Sequence, residues 1–209
     1  MAQQVEGAVA APKRRQARGE RRIAELLEAA GQVFAESGYS ATTTNAIAAR
    51  AGVSPGTLYQ YFPNKDAIAD ALAERFAAEL ETLQRLLVPD LAALPLDELL
   101  SRVLDPMLRF QLENPACPVL FMGPDVPQRL ADVHAPLQAS LLAGVADLLG
   151  ALAPQLQPDE LQRSAAVALH MFKGVLPLLV TTPPAELPAL VEEIKTMFLG
   201  YFTVLIGRG

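Results

Sequence analysis

The chain has 209 residues, of which 51% are hydrophobic and 19% charged, which is enough apolar material for one or two domains with a large core. Its single cysteine, Cys117, excludes an intramolecular disulfide, and its two histidines are too distant in sequence to form a structural zinc site with it. We therefore predict no metal site, no cofactor and a reducing, cytoplasmic location. No apolar run follows the basic residues near the N-terminus, so a secretory signal is not expected.

The net charge of −6 is unevenly distributed along the chain. Residues 1–65 carry eight Lys and Arg against five Asp and Glu, whereas residues 66–209 carry nine against eighteen. A basic N-terminal part on an acidic body suits phosphate binding at one end, although a solvated basic tail would give the same sums. The most apolar stretches, near residues 165–180, are interrupted by Lys173 and Pro177 and fall short of the roughly 18 residues of a membrane span.

Residues 1–18 have no periodicity and include a basic cluster, so we predict a disordered basic arm that either follows a DNA minor groove or stays solvated. Apolar residues then recur at helical spacing from Arg21, and Gly38 supplies the expected stop. A second, short helix begins after Thr43 as N-cap and ends near Gly52.

The third helix is predicted to begin after Ser54 as N-cap, with Pro55 in the first helical position, and to run to Phe62 before Pro63. Asn64 would cap a longer fourth helix. The apolar face of that helix comprises Ile68, Leu72, Phe76, Leu80, Leu83 and Leu87.

Prolines punctuate the rest of the chain. Between them we predict helices near 96–113, 126–133, 136–153, 158–180 and 186–206, with kinks at Pro106 and Pro177. No segment alternates with period two, so the predicted fold class is all-α.

Two short helices joined by a glycine turn describe a helix-turn-helix, whose second helix enters the DNA major groove. Ala48 is small enough for a close crossing, and Leu58 would face inward. Hydroxyl-bearing residues then crowd the outer side of the third helix. Simpler roles remain open for individual residues, such as Ser54 as a plain cap and Tyr59 as a core aromatic.

The stretch "TTTNAIAARAGVSPGTLYQYFPNKDAI" resembles the DNA-binding domain of the TetR family of bacterial transcriptional regulators. The resemblance covers roughly residues 23–72 and implies a helix-turn-helix domain at 19–66, followed by a helical ligand-binding and dimerisation domain at 67–209. It also implies a DNA-facing set that comprises Thr42, Thr43, Thr44, Ser54, Pro55, Gly56, Thr57, Tyr59, Tyr61 and Lys65. Tyr59, Tyr61 and Lys65 would contact phosphates, whereas Thr44, Pro55 and Thr57 would carry base specificity. Pro55 departs from the basic or polar residue that is common there, which favours readout by apolar contact or DNA shape.

In the C-terminal part we predict a ligand pocket from adaptable Met and aromatic side chains and one histidine, namely Met107, Phe110, Phe121, Met122 and His170. The same residues at helical spacing also suit a plain core. Cys117 is either a redox sensor or a buried thiol. The resemblance implies a homodimer paired through the last two helices, which are too apolar for surface helices.

The sequence therefore predicts a ligand-responsive DNA-binding regulator, most simply a repressor released from a palindromic operator by a small, largely apolar inducer. The alternative is a regulator that acts as an activator or without a small-molecule ligand. An enzyme is not expected, because the sequence has no nucleophile motif or glycine-rich phosphate loop, and Asp132 with His134 lacks a third partner.

Overall fold

The computed structural model describes residues 10–87, 93–123 and 125–207. Every regular element in these ranges is a helix longer than one turn, which confirms the predicted all-α fold. Contacts divide the chain into two units, Met1–Leu72 and Ala73–Gly209.

The first unit contains α1 (Ala10–Ala41), α2 (Thr44–Arg50), α3 (Pro55–Tyr59) and the start of α4 (Lys65–Leu87). Its core is built from large apolar side chains with no exposed surface, namely Leu26, Phe34, Ile47, Leu58, Ile68 and Leu72. In α1 the buried Ala30 and Val33 lie between Leu26 and Phe34, and in α4 Ile68 and Leu72 are four residues apart, so the buried residues of each helix share one face. The burial of that face stabilises α2 and α3, since both helices are too short to be stable in isolation.

Local capping sets the helix boundaries. Gly38 has φ of 75°, a left-handed conformation that interrupts the helical backbone near the end of α1. Thr43 Oγ1 accepts a hydrogen bond from Ala46 N at 3.1 Å, and Asn64 Oδ1 accepts one from Ala67 N at 2.8 Å. These contacts confirm the predicted stop and N-caps.

Two boundaries differ from prediction. Helix α3 ends at Tyr59 and not at Phe62, because Gln60 N and Tyr61 N bond to carbonyls three residues back, which tightens the chain before Pro63. Residues 10–18 are helical, whereas the predicted disordered arm covers 1–18; residues 1–9 of that arm lie outside the described residues. The segment is rich in Ala, Lys, Arg and Gln, which favour helix, and Pro12 is tolerated in the first turn.

The second unit contains the rest of α4 and five further helices, α5 (Leu96–Glu113), α6 (Ala116–Met122), α7 (Gln128–Leu152), α8 (Pro158–Thr181) and α9 (Leu187–Ile206). Helix α6 was not predicted, because its prolines suggested a loop; Pro118 occupies the first turn, where no backbone donor is needed. The two helices predicted at 126–133 and 136–153 form the single helix α7, which continues through Pro136. A proline there removes one backbone hydrogen bond, which burial of the helix offsets.

Leucine and phenylalanine side chains from α5, α7, α8 and α9 form the core of the second unit, including Leu99, Leu149, Leu176, Phe198 and Phe202. Helices α7 and α8 are long and apolar enough, by length and composition, to meet the criterion for a membrane span. This corrects the expectation that the apolar stretches are too short. Core helices of soluble proteins meet the same criterion, and both helices contribute to the core cluster.

Candidate DNA-binding site and ligand cavity

The turn between α2 and α3 is closed by backbone hydrogen bonds. Gly52, with φ of 66°, donates to Ala49 O at 3.1 Å, and Val53 N donates to Ala48 O at 3.0 Å. Ala48 is buried, so its small side chain allows the two helices to approach closely. Leu58 is fully buried and fixes the inner face of α3. The geometry is that of a helix-turn-helix.

The start of α3 presents polar and small groups to solvent. Ser54 Oγ accepts from Thr57 N at 3.1 Å and lies 2.9 Å from Thr57 Oγ1. Pro55 and Gly56 are exposed, and a Cβ added to Gly56 would meet no atom closer than Ser54 Oγ at 3.8 Å. The backbone of α3 is therefore open to a close approach by another molecule.

Tyr59 and Tyr61 flank Gln60 on the outer side of α3. The Tyr59 side chain is 52% exposed, and its hydroxyl lies 3.0 Å from Thr44 Oγ1 on α2. Tyr61 is also exposed. Large aromatic side chains are normally buried, so two exposed tyrosines at the C-terminal end of α3 indicate a binding surface.

Lys65 lies at the first turn of α4. Its Nζ donates to Tyr39 O at 3.0 Å and to Ser40 O at 3.1 Å, and it lies 4.8 Å from the centroid of the Tyr39 ring. An ammonium has three donors, so these two bonds orient the group and leave one N–H for another acceptor.

Two residues near this surface have other roles. Thr42, predicted to face DNA, is 2% exposed, and its hydroxyl donates inward to Gly38 O at 2.7 Å. This prediction is wrong, because the hydroxyl satisfies a carbonyl four residues back at the end of α1. Arg50 pairs with Glu36, and the hydrogen bond from Arg50 lowers the pKa of the Glu36 carboxyl. The Arg50 guanidinium is therefore held by a carboxylate of α1.

The second unit encloses a cavity of about 660 Å³. Its wall comes from α4, α5, α6, α7, α8 and α9 and is mostly leucine, valine and phenylalanine. Three of the residues predicted for a ligand pocket, Met107, Phe121 and Met122, line this cavity. Phe110 does not; it packs edge-to-face on Phe76 and lines a different cavity of about 530 Å³. His170 lines neither cavity, which corrects that prediction: the residue is exposed, with Nδ1 2.7 Å from Ala166 O.

Polar residues that the sequence analysis did not select interrupt this apolar wall. The His134 ring stacks on Phe121 with centroids 4.4 Å apart, and burial, with a smaller contribution from the charge of Lys173, lowers the pKa of His134 to about 4. Burial also lowers the pKa of Lys173. A lone lysine inside the apolar run of α8 is the sequence signal that could have identified this region.

Cys117 and Gln111 lie on the same wall. Burial raises the pKa of the Cys117 thiol to about 12, which favours the buried-thiol interpretation over a redox sensor. Gln111 is 6% exposed, and its Oε1 has no hydrogen-bond partner among the described residues. An unsatisfied buried acceptor is unusual in a folded protein.

Comparison with protein families gives two matches in separate parts of the chain. The family described as "Bacterial regulatory proteins, tetR family" matches residues 26–72, and the family described as "Tetracyclin repressor-like, C-terminal domain" matches residues 94–205. The first match contains the helix-turn-helix, and the second contains α5 to α9 except Ile206, the last residue of α9.

Individual proteins agree with this result. The "HTH-type transcriptional repressor KstR2" of Mycobacterium tuberculosis is 42% identical over 78 residues, which is 37% of this chain and 38% of that repressor. The "Fatty acid metabolism regulator protein" of Bacillus subtilis is 44% identical over 48 residues, covering 23% of this chain and 25% of that protein. The curated relatives are thus matched over less than half of their length.

Solved structures share the fold over most of the chain. A TetR-like transcriptional regulator from Rhodococcus sp. RHA1 has a TM-score of 0.69 at 21% identity, covering 90% of this chain and 97% of that one. The fatty acid degradation regulator FadR from Bacillus halodurans has a TM-score of 0.62 at 20% identity, covering 84% and 93%. The helix-turn-helix geometry and the two family matches together show that the chain belongs to the TetR family and is a DNA-binding transcriptional regulator.

Proposed function

We propose that this chain is a cytoplasmic repressor that binds a palindromic operator as a homodimer and is released by a small, largely apolar inducer. The observation that carries the inducer proposal is the cavity of about 660 Å³, whose volume suits a small organic molecule. Its wall includes Leu80 and Gln84 of α4, the helix whose first residues belong to the helix-turn-helix unit.

The DNA contacts proposed for each subunit come from the surface around α3. Tyr59 and Tyr61 would donate to phosphates, and Lys65 would add a charge-assisted contact with its remaining N–H. Base readout would come from Thr44, Pro55 and Thr57, with Thr43, Ser54 and Gly56 lining the approach. Thr42 is excluded from this set by its burial.

The proposed dimer forms through α8 and α9. The exposed apolar stripes on these two helices support this proposal. On α8 the exposed positions Val167, Gly174 and Leu178 fall on one helical face, and on α9 Met197, Gly200 and Val204 do the same. A Cβ added to either glycine would meet no atom within 4 Å. Two apolar stripes with a glycine in the middle allow close helix packing in a symmetric pair.

Coupling between the cavity and DNA would run through α4. A ligand shifts an equilibrium only by its differential affinity for two states, typically about 1–3 kcal/mol. A ligand that moves the Leu80–Gln84 turn of α4 would alter the separation of the two recognition helices in the dimer. By linkage, operator DNA should weaken inducer binding by the same factor that inducer weakens DNA binding.

The dimer and operator are tested together. Selection of bound duplexes from a random pool should return an inverted repeat, and Val204→Arg should produce a monomer by light scattering and lose binding to that repeat. Leu112→Arg is the matched control, since Leu112 is another exposed apolar residue of the second unit, on α5. A direct repeat, a single half-site, or a Val204→Arg dimer would contradict the proposal.

The alternative is a family member that activates transcription or that needs no small ligand. An activator would also select an inverted repeat, but it would raise transcription of a reporter placed behind the selected site. A ligand-free regulator would show no change in operator affinity with any compound that enters the cavity.

A further inference from the structure

Three polar side chains that line the cavity are at least partly buried and come from three helices. Gln111 of α5, His134 of α7 and Lys173 of α8 all line it, whereas most of the other lining residues are apolar. Apolar pockets with a few polar groups bind molecules whose polar atoms meet those groups. The chemistry of these side chains therefore indicates the ligand class.

Lys173 is the main evidence. The side chain is half-buried in the cavity wall, and within the described ranges it forms no ion pair. The carboxylate of Asp147 also lines the cavity but is exposed and not paired with Lys173. An ammonium removed from water without a counter-ion is unfavourable, so an anion that enters the cavity would gain a charge-assisted contact.

The polar groups that share this wall with Lys173 allow an anionic ligand to bind there, whereas a cationic ligand would be repelled by Lys173. The His134 imidazole is held neutral at pH 7 by its buried stack on Phe121, so it can donate one N–H without adding charge. The amide of the buried Gln111 adds an uncharged polar group to the same wall.

We propose that the cavity binds an amphipathic anion, with an apolar body against the leucine-rich wall and a carboxylate head paired with Lys173 Nζ. This inference rests on the proposed inducer function and narrows its ligand class. A wholly apolar molecule would leave Lys173 without a counter-ion, and a cationic one would face repulsion from it.

Three probes with the same ten-carbon chain test the inference on the intact protein by titration calorimetry: decanoate, 1-decanol and decylamine. Decanoate should bind about tenfold or more tightly than decanol, the scale of one charge-assisted hydrogen bond, and decylamine should bind most weakly. Equal affinity for decanoate and decanol would overturn the anionic head and leave the apolar inducer proposal intact. Binding of none of the three would overturn both.

Variants assign the preference to one residue. Lys173→Met keeps the apolar stem and should bind decanoate no more tightly than decanol, whereas Lys173→Arg should keep the preference for decanoate. Arg163→Met is the matched control, because Arg163 is an exposed cation on the same helix that pairs with Asp159 outside the cavity. A preference that persists in Lys173→Met, or disappears in Arg163→Met, would overturn the role of Lys173.

Discussion

The hydroxyl of Tyr59 offers the sharpest test of the proposed DNA surface. Tyr59→Phe removes one oxygen atom and leaves the ring in place. In the free protein that oxygen is solvent-exposed and contacts only Thr44 Oγ1 among the described hydrogen-bonding groups, at 3.0 Å. Because the group is exposed, the free energy of unfolding should change by no more than about 0.5 kcal/mol.

The effect on operator binding should be much larger. A hydrogen bond to a charged group contributes about 1.5–3 kcal/mol, and the hydroxyl can accept from Thr44 while it donates to a phosphate. Taking the lower value for each of two half-sites, the dimer loses about 3 kcal/mol, or roughly 150-fold in Kd. The lost group is uncharged, so the dependence of Kd on salt concentration should not change.

Fluorescence anisotropy with the selected operator at several salt concentrations measures both quantities. Tyr201→Phe in α9 is the control for loss of a tyrosine hydroxyl outside the helix-turn-helix, and it should bind the operator like the wild type. A Tyr59→Phe Kd within about twofold of wild type would refute the phosphate contact. A large loss of stability in the same variant would refute the assignment of the hydroxyl to an exposed surface.

Three further substitutions or conditions follow from the structure. Thr42→Val should lower the free energy of unfolding by about 1–2 kcal/mol in urea titrations, since it removes the buried bond to Gly38 O, yet leave operator affinity unchanged. Gly56→Ala should keep or raise stability, by up to about 1 kcal/mol, because its Cβ has room in the free protein, while weakening operator binding about tenfold through contact with DNA. Because the pKa of His134 is lowered to about 4 in the folded protein, the unfolded chain binds a proton first as the pH falls below 6.5. The free energy of unfolding should therefore be highest above pH 6.5 and decrease between pH 6.5 and about 4. This decrease should be smaller in His134→Gln.

The parts of the fold that sequence predicts well are those set by interactions over three or four residues. Ser54 and Asn64 cap the helices they precede because a short polar side chain reaches the backbone N–H three residues on. Gly38 and Gly52 occupy left-handed backbone for a reason that is also local. The starts of α2, α3 and α4 followed from these signals.

The predictions that the structure corrected concern residues whose contacts lie outside the local sequence pattern. Both sequence neighbours of Thr42 are exposed, but its hydroxyl donates inward to a carbonyl near the irregular end of α1. Pro136 suggested a helix break, whereas α7 continues through it, with Leu130 before it and Leu137 after it buried. The polar wall of the cavity needs Gln111, His134 and Lys173 from three helices, which only the tertiary fold brings together.

Helix α8 explains why the second unit contains so much exposed apolar surface. Ala168, Phe172 and Leu176 recur every four residues and line the cavity, while Val167, Gly174 and Leu178 occupy an exposed face of the same helix. A helix that is apolar on most sides needs cover on most sides, which the proposed ligand and the proposed partner subunit would supply. Helix α8 would then contact both the ligand and the partner subunit. A ligand that shifts α8 would therefore change the geometry of the dimer directly, in addition to the proposed route through α4.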